Sequence, residues 1–291
     1  MKSKILTLFL TLCLLLTLGC EKSPRRDDEK PLVLVSIAPY KYFIQKIAGD
    51  QFDVMSIVPE GVDSHTYEPS PKEITKMQDA IIWFQMGEVF EKRLGRTLGQ
   101  HNKNIDIQNL NELIELISYS SGDHHGHHHD LDIHTWLNPS IVGEQSEVIA
   151  QAFADHFPGK TTEYRKNFQS LLDELSHLDL EIRSILKPLK YRTFLTSHPS
   201  FGYFCQEYNL EQLSIETEGK DPLPRNLMET VKLAKEKEVK VVLLQPQFSS
   251  KGALKVAGEL KLPTKLVDPY SVEYRKNLLR LTRILRDPKS S

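Results

Sequence analysis

Three histidines lie in short proline-bearing segments of this 291-residue chain. They are His65 in Gly61-Val62-Asp63-Ser64-His65-Thr66-Tyr67-Glu68-Pro69-Ser70-Pro71, His134 in Asp132-Ile133-His134-Thr135-Trp136-Leu137-Asn138-Pro139, and His198 in Thr196-Ser197-His198-Pro199-Ser200-Phe201-Gly202-Tyr203-Phe204. A fourth segment, Leu266-Val267-Asp268-Pro269, carries a carboxylate. Imidazole nitrogens with one hard oxygen suit a first-row divalent cation. Met singly, each of these residues reads as an ordinary loop or core side chain. Jointly they point to a site, because at least three of the four lie beyond the carboxyl ends of strand-like runs, where open α/β sheets bind their ligands. Pro139, Pro199 and Pro269 also restrict the backbone nearby, which lowers the entropy lost on ordering a ligand.

The elements that must position these residues alternate. Leu32 to Ile37, Val54 to Val58 and Ile81 to Met86 are apolar strand candidates, interleaved with helical stretches around Tyr42 to Ile47, Glu73 to Ala80 and Val89 to Leu98. The same grammar returns after Thr193, with strands at Thr193–Thr196, Leu213–Glu216, Val239–Leu244 and Lys265–Val267. Helices are expected there at Phe201–Tyr208, Asn226–Lys237, Ala253–Leu260 and Val272–Leu285. Strands alternating with helices argue for parallel βαβ units. Between the two halves, Tyr164, Phe168, Leu171, Leu172, Leu175, Leu178, Ile182, Ile185 and Leu186 form a stripe at three- and four-residue spacing, which predicts one helix over 161–186. The expected fold is α/β with two lobes, each built on a parallel sheet and joined by a long helix that limits hinge motion. The boundaries follow as 32–160 for the N-terminal lobe, 161–188 for the linking helix and 189–291 for the C-terminal lobe.

Composition excludes several classes. With 40% hydrophobic and 26% charged residues the chain is an ordinary globe, and 37 basic against 39 acidic residues leave a net charge of −2, too little field to hold a nucleic acid. The 11 histidines are the anomaly. Five of them, His124, His125, His127, His128 and His129, crowd the apolar-free loop 122–130 and are read as an accessory, low-affinity metal collector feeding His134; an exposed loop titrating near neutral pH is the alternative. A zinc hydrolase would need an open coordination position and a general base, and no His-Glu-x-x-His motif is present. Nothing in the residues argues for surface adhesion.

The beginning of the chain reads as an address. A basic start, Met1 to Lys4, precedes an apolar run from Ile5 to Leu18 that is too short for a comfortable spanning helix and ends at Leu18-Gly19-Cys20. It resembles a bacterial lipoprotein signal, with Cys20 as the lipidated first residue of the mature chain, although Thr17 stands where that pattern usually has Leu, Val or Ile. The alternative is a plain cleaved signal. On this reading residues 1–20 leave, 21–31 form a solvated tether, and the protein is exported to the periplasm or the outer face of the cytoplasmic membrane. Cys205 is then the only thiol left in the folded body, and no internal disulfide is possible.

The motifs His-Thr-Tyr-Glu-Pro-Ser-Pro, Asp-Ile-His-Thr-Trp-Leu-Asn-Pro, Thr-Ser-His-Pro-Ser-Phe-Gly-Tyr-Phe and Leu-Val-Asp-Pro, in this order and with a long helix between the second and third, resemble the zinc/manganese solute-binding proteins of ABC transporters. The likeness runs from about Leu32 to Leu285, and Glu218-Gly219-Lys220-Asp221-Pro222 supports it. It implies a cation held between the lobes by His65 and His134 on one side and His198 and Asp268 on the other. It also implies a monomer that delivers Zn2+, or alternatively Mn2+ or iron, to a membrane permease and its ATPase, with no catalysis. One departure is visible: Gln245-Pro246-Gln247-Phe248 has Gln where the family commonly has Glu, which would alter the support of the site.

Overall fold

The computed structural model describes residues 30–118, 131–216 and 223–289. Cys20, the tether before residue 30, His124 to His129 and Glu218 to Pro222 lie outside them.

Strand β1 (Leu32–Val35) is apolar throughout and its last three residues are fully buried, as a parallel strand covered on both faces requires. It pairs in parallel with β2 (Asp53–Ser56) on one side and β3 (Ile82–Gln85) on the other, and β3 pairs with β4 (Asp106–Asn109). The second sheet repeats the plan. β5 (Thr193–Thr196) lies between β6 (Glu211–Ser214) and β7 (Val242–Leu244), with β8 (Thr264–Leu266) at the edge, so the orders are β2-β1-β3-β4 and β6-β5-β7-β8. In each sheet the winding reverses at the central pair of strands, where a crevice opens beyond the carboxyl ends. The expected two-lobed parallel α/β architecture is therefore what the chain adopts.

The connections are α1 (Pro39–Ala48), α2 (Pro71–Met77), α3 (Val89–His101) and α4 (Pro139–His156) in the first half. The long helix is α5 (Thr161–Leu186), and the second half has α6 (Gly202–Tyr208), α7 (Pro224–Glu236), α8 (Lys251–Leu260) and α9 (Tyr274–Arg286). Local chemistry sets several ends. Ser70 and Glu73 form a reciprocal capping box at α2, while α1 stops at Gly49, whose φ of 64° suits a residue without a side chain. Two elements were not anticipated. β4 is an edge strand whose sequence, Asp-Ile-Gln-Asn, has no apolar run, and α4 buries Gln145 and Ser146 along with its apolar residues, which blurs the hydrophobic stripe.

Helix α5 buries Tyr164, Leu171, Leu175, Leu178, Ile182 and Leu186 against α1, α4 and α9. Its last turns reach the second lobe: Tyr208 donates its hydroxyl to Asp179 Oδ1 at 2.9 Å, Arg183 pairs with Glu207, and Arg275 Nη2 meets Glu181 Oε2 at 2.6 Å. Helix α9 then returns to the first lobe, where the Tyr274 ring sits edge-on to Phe43 of α1 at 4.8 Å. One apolar core continues from Val33 and Phe84 through Leu178 to Phe194 and Leu243, and a smaller cluster around Leu195, Val242, Ala253 and Val256 completes the second lobe. Swinging the lobes apart would expose part of the shared core at about 25 cal/mol per Å² of apolar surface. Among the described residues no helix is long and apolar enough to cross a membrane.

Candidate metal centre

The site forms where the carboxyl ends of both sheets meet. His65 lies on the loop after β2, His198 two residues after β5, and His134 on the crossover between β4 and α4. Each histidine in the first lobe is set by an aspartate two residues earlier: Asp63 Oδ1 accepts His65 N–H at 2.9 Å, and Asp132 Oδ1 accepts His134 N–H at 2.8 Å. This is the tight Asx turn, in which a short carboxylate replaces a backbone acceptor. His198 is fixed differently, its N–H donating to Gln245 Oε1 at 2.7 Å while its ring stacks on Phe248 at 3.9 Å and 7°.

The three imidazoles make a nearly equilateral triangle. Ring centroids stand 5.2 Å apart for His65 and His134, 5.0 Å for His65 and His198, and 5.2 Å for His134 and His198. One donor nitrogen from each lies within 4.8 Å of the others. Behind every ring stands a carboxylate on Nδ1: Glu88 on His65 at 3.1 Å, Asp132 on His134 at 2.7 Å and Glu216 on His198 at 2.7 Å. Where the carboxylate is ionised it only accepts, so the Nδ1 facing it carries the proton and the Nε2 of that ring keeps its lone pair. His65 Nε2 and His198 Nε2 are 3.2 Å apart. Two lone pairs at that distance repel unless a shared proton or a bound cation lies between them, and two donors of one tetrahedral zinc ion, at about 2.0–2.1 Å each, stand about 3.4 Å apart.

Burial tunes the cluster. It holds His134 well below the ordinary imidazole value and takes His198 down to about 3 against the pull of Glu216. It also acts on His65, but Glu88, Asp63 and Asp132 outweigh it and raise that imidazole's pKa. Glu88 is the counterpart: burial pushes it up, and His65, Ser64 and His134 together bring it below the usual carboxylate value. Asp132 is carried by burial up to about 7. Burial thus favours neutral imidazoles at His134 and His198, and His65, whose side chain is 26% exposed against 0% and 9% for the other two, is the most basic of the three.

Asp268, after β8, is not among the grouped donors. Its Oδ1 accepts from Gln247 Nε2 at 2.7 Å and from Tyr270 N at 2.9 Å, a third Asx turn. The segment it begins grips the first lobe, since Tyr270 Oη lies 2.9 Å from Ser64 Oγ and Trp136 Nε1 donates to Pro269 O at 2.8 Å. The glutamine noted in the sequence also has a place. Gln245 is buried, accepts from Thr196 Oγ1 and His198 N and donates to Ser200 Oγ at 2.8 Å, so it supports His198 as a neutral amide.

Sequence reasoning missed the three carboxylates. Glu88 and Glu216 each fall two or three residues past a strand, after β3 and β6, so the rule that singled out His65 and His198 applied to them equally. Asp132 was in view as part of the His134 motif, but only the structure shows it holding the ring.

Two parallel α/β lobes that bring three imidazoles able to hold a metal ion together beyond their strand ends have the architecture of a metal-binding solute-binding protein. The comparisons make the class specific. The family model for the zinc-uptake complex component A, periplasmic (ZnuA), matches residues 33–283. A putative metal-binding protein of Chlamydia trachomatis is 32% identical over 265 residues, covering 90% of this chain and 91% of its own. The high-affinity zinc uptake system protein ZnuA of Bacillus subtilis is 28% identical over 273 residues, with 88% and 85% covered. A crystal structure of ZnuA superposes with a TM-score of 0.84 at 32% identity, covering 90% of this chain and 100% of that one. The chain belongs to the ZnuA family of periplasmic zinc-uptake components.

Proposed function

We propose that this protein captures Zn2+ outside the cytoplasmic membrane through Nε2 of His65, His134 and His198, with Asp268 as the fourth ligand, and hands it to an ABC permease driven by an ATPase on the far side. The observation that carries the reading is the 3.2 Å approach of His65 Nε2 and His198 Nε2, each with its Nδ1 held by a carboxylate. A nitrogen-rich site with four protein ligands and little room for water favours zinc over manganese by the Irving–Williams order. The Bacillus subtilis relative bears a zinc-uptake name, which agrees. His124, His125, His127, His128 and His129 serve as the low-affinity collector ahead of His134. Cys20 carries the lipid that keeps the protein at the membrane; its support is the Leu18-Gly19-Cys20 ending of the apolar run.

The test is competition on metal-free protein at equal free zinc and manganese. Zinc is expected to fill the tight site. Manganese occupancy under those conditions would overturn the zinc assignment and leave the transport class intact.

A further inference from the structure

His134 belongs by sequence to the first lobe, yet its segment is gripped from the second. Tyr203, buried near the start of α6 and five residues after His198, donates its hydroxyl to Asp132 O at 2.7 Å and accepts the Ile117 N–H at 3.1 Å. Asp132 N donates in turn to Ile117 O at 2.8 Å. The phenol thus closes a ring of hydrogen bonds around the Asp132 main chain. Gly202 meets the same residue from the side, for a Cβ placed there would stand 2.3 Å from Asp132 Oδ2 and 3.2 Å from Ile117 Cδ1. The bare Cα at 202 is what lets the carboxylate lie against the start of α6. Asp132 Oδ1 then holds both N and Nδ1 of His134. A continuous path runs from His198 along the main chain to Gly202 and Tyr203, across to Asp132, and on to His134.

We propose that Tyr203 is a positioning residue for the metal centre: its hydroxyl fixes Asp132, and Asp132 aims the His134 lone pair, so the first-lobe ligand is directed by the seating of the second lobe. The inference rests on the reading of His134 as a ligand. Its physical basis is that a ligand imidazole keeps its tautomer and direction only while the group on its other nitrogen is held.

Tyr203→Phe keeps the ring and removes only the hydroxyl. It is expected to weaken zinc binding by roughly 10–100-fold and to change the ligand-field spectrum of the Co2+-loaded protein. Because Tyr203 acts on His134 only through Asp132, whose main-chain oxygen it holds, Tyr203→Phe with Asp132→Asn is expected to bind little worse than the weaker single variant. With Glu216→Gln, which releases His198 instead, the losses are expected to multiply. Gly202→Ala keeps the hydroxyl but displaces the carboxylate, and the same direction of change is expected. Unchanged affinity and spectrum in Tyr203→Phe, or losses that multiply with Asp132→Asn, would overturn the proposal. His134→Ala separates it from the reading beneath: strong loss there beside an unchanged Tyr203→Phe overturns this inference alone, and unchanged binding in His134→Ala overturns both.

Discussion

Replacing His198 by alanine is expected to weaken zinc binding by about a hundredfold or more while leaving the fold standing. Structural zinc sites are worth roughly 10–16 kcal/mol across four ligands, or about 3 kcal/mol for each, and 1.4 kcal/mol is a factor of ten. The loss is not shared out among the remaining groups, because Glu216 is then left without the imidazole it holds and cannot itself replace an aimed Nε2. The fold survives because β5, Phe201 and Phe204 anchor the segment in the core on either side of His198. Asp268→Ala is expected to cost less, since Asp268 lies outside the imidazole group and water can take an oxygen donor's place. Competition with a chromophoric chelator measures both, and thermal unfolding of the metal-free proteins checks the fold. An affinity for His198→Ala equal to that of the parent would remove His198 from the ligand set.

Trp136→Ala is expected to damage stability and metal binding together. The indole is fully buried in the turn Thr135–Leu137, packs on Tyr270 at 5.2 Å and on His134 at 5.1 Å, and donates Nε1 to Pro269 O. Truncation leaves a cavity and an unpaired carbonyl, which together cost about 3–5 kcal/mol and lower the melting temperature by on the order of 10 °C. The same change cuts the tie between the His134 segment of one lobe and the Asp268 segment of the other, so zinc affinity is expected to fall even at temperatures where the variant is folded. Trp136→Phe keeps most of the packing and loses the hydrogen bond, and is expected to lie between. Calorimetric unfolding with and without zinc measures both effects. A Trp136→Ala protein that is destabilised but binds zinc with parental affinity would show that this tie plays no part in shaping the site.

The parts of this molecule that were legible in its sequence are those where one physical cause acts alone. The stripe from Tyr164 to Leu186 is a helix because only burial along one face is at stake, and Leu32 to Val35 is a strand because both its faces are covered. The histidines stood out through their prolines and their places after strands. Where causes mix, the reading fails. Helix α4 uses Gln145 to bond Asn111 and Thr135, so its inner face is partly polar, and β4 sits at an edge where little burial is needed. Glu88 and Glu216 carry no local mark of their role, since what makes a carboxylate support an imidazole is a partner 23 residues away in one case and 18 in the other. Asp268 is the intermediate case: its place after a strand was readable, while its engagement with Gln247 and Tyr270 was not.

X-ray absorption at the zinc edge of the loaded protein addresses the central claim most directly. Three imidazoles at about 2.0–2.1 Å from one zinc ion, completed by an oxygen donor and without sulfur, are the expected result. A spectrum requiring two imidazoles or fewer would contradict the account, because the triangle of His65, His134 and His198 would then not be the place where the metal is held.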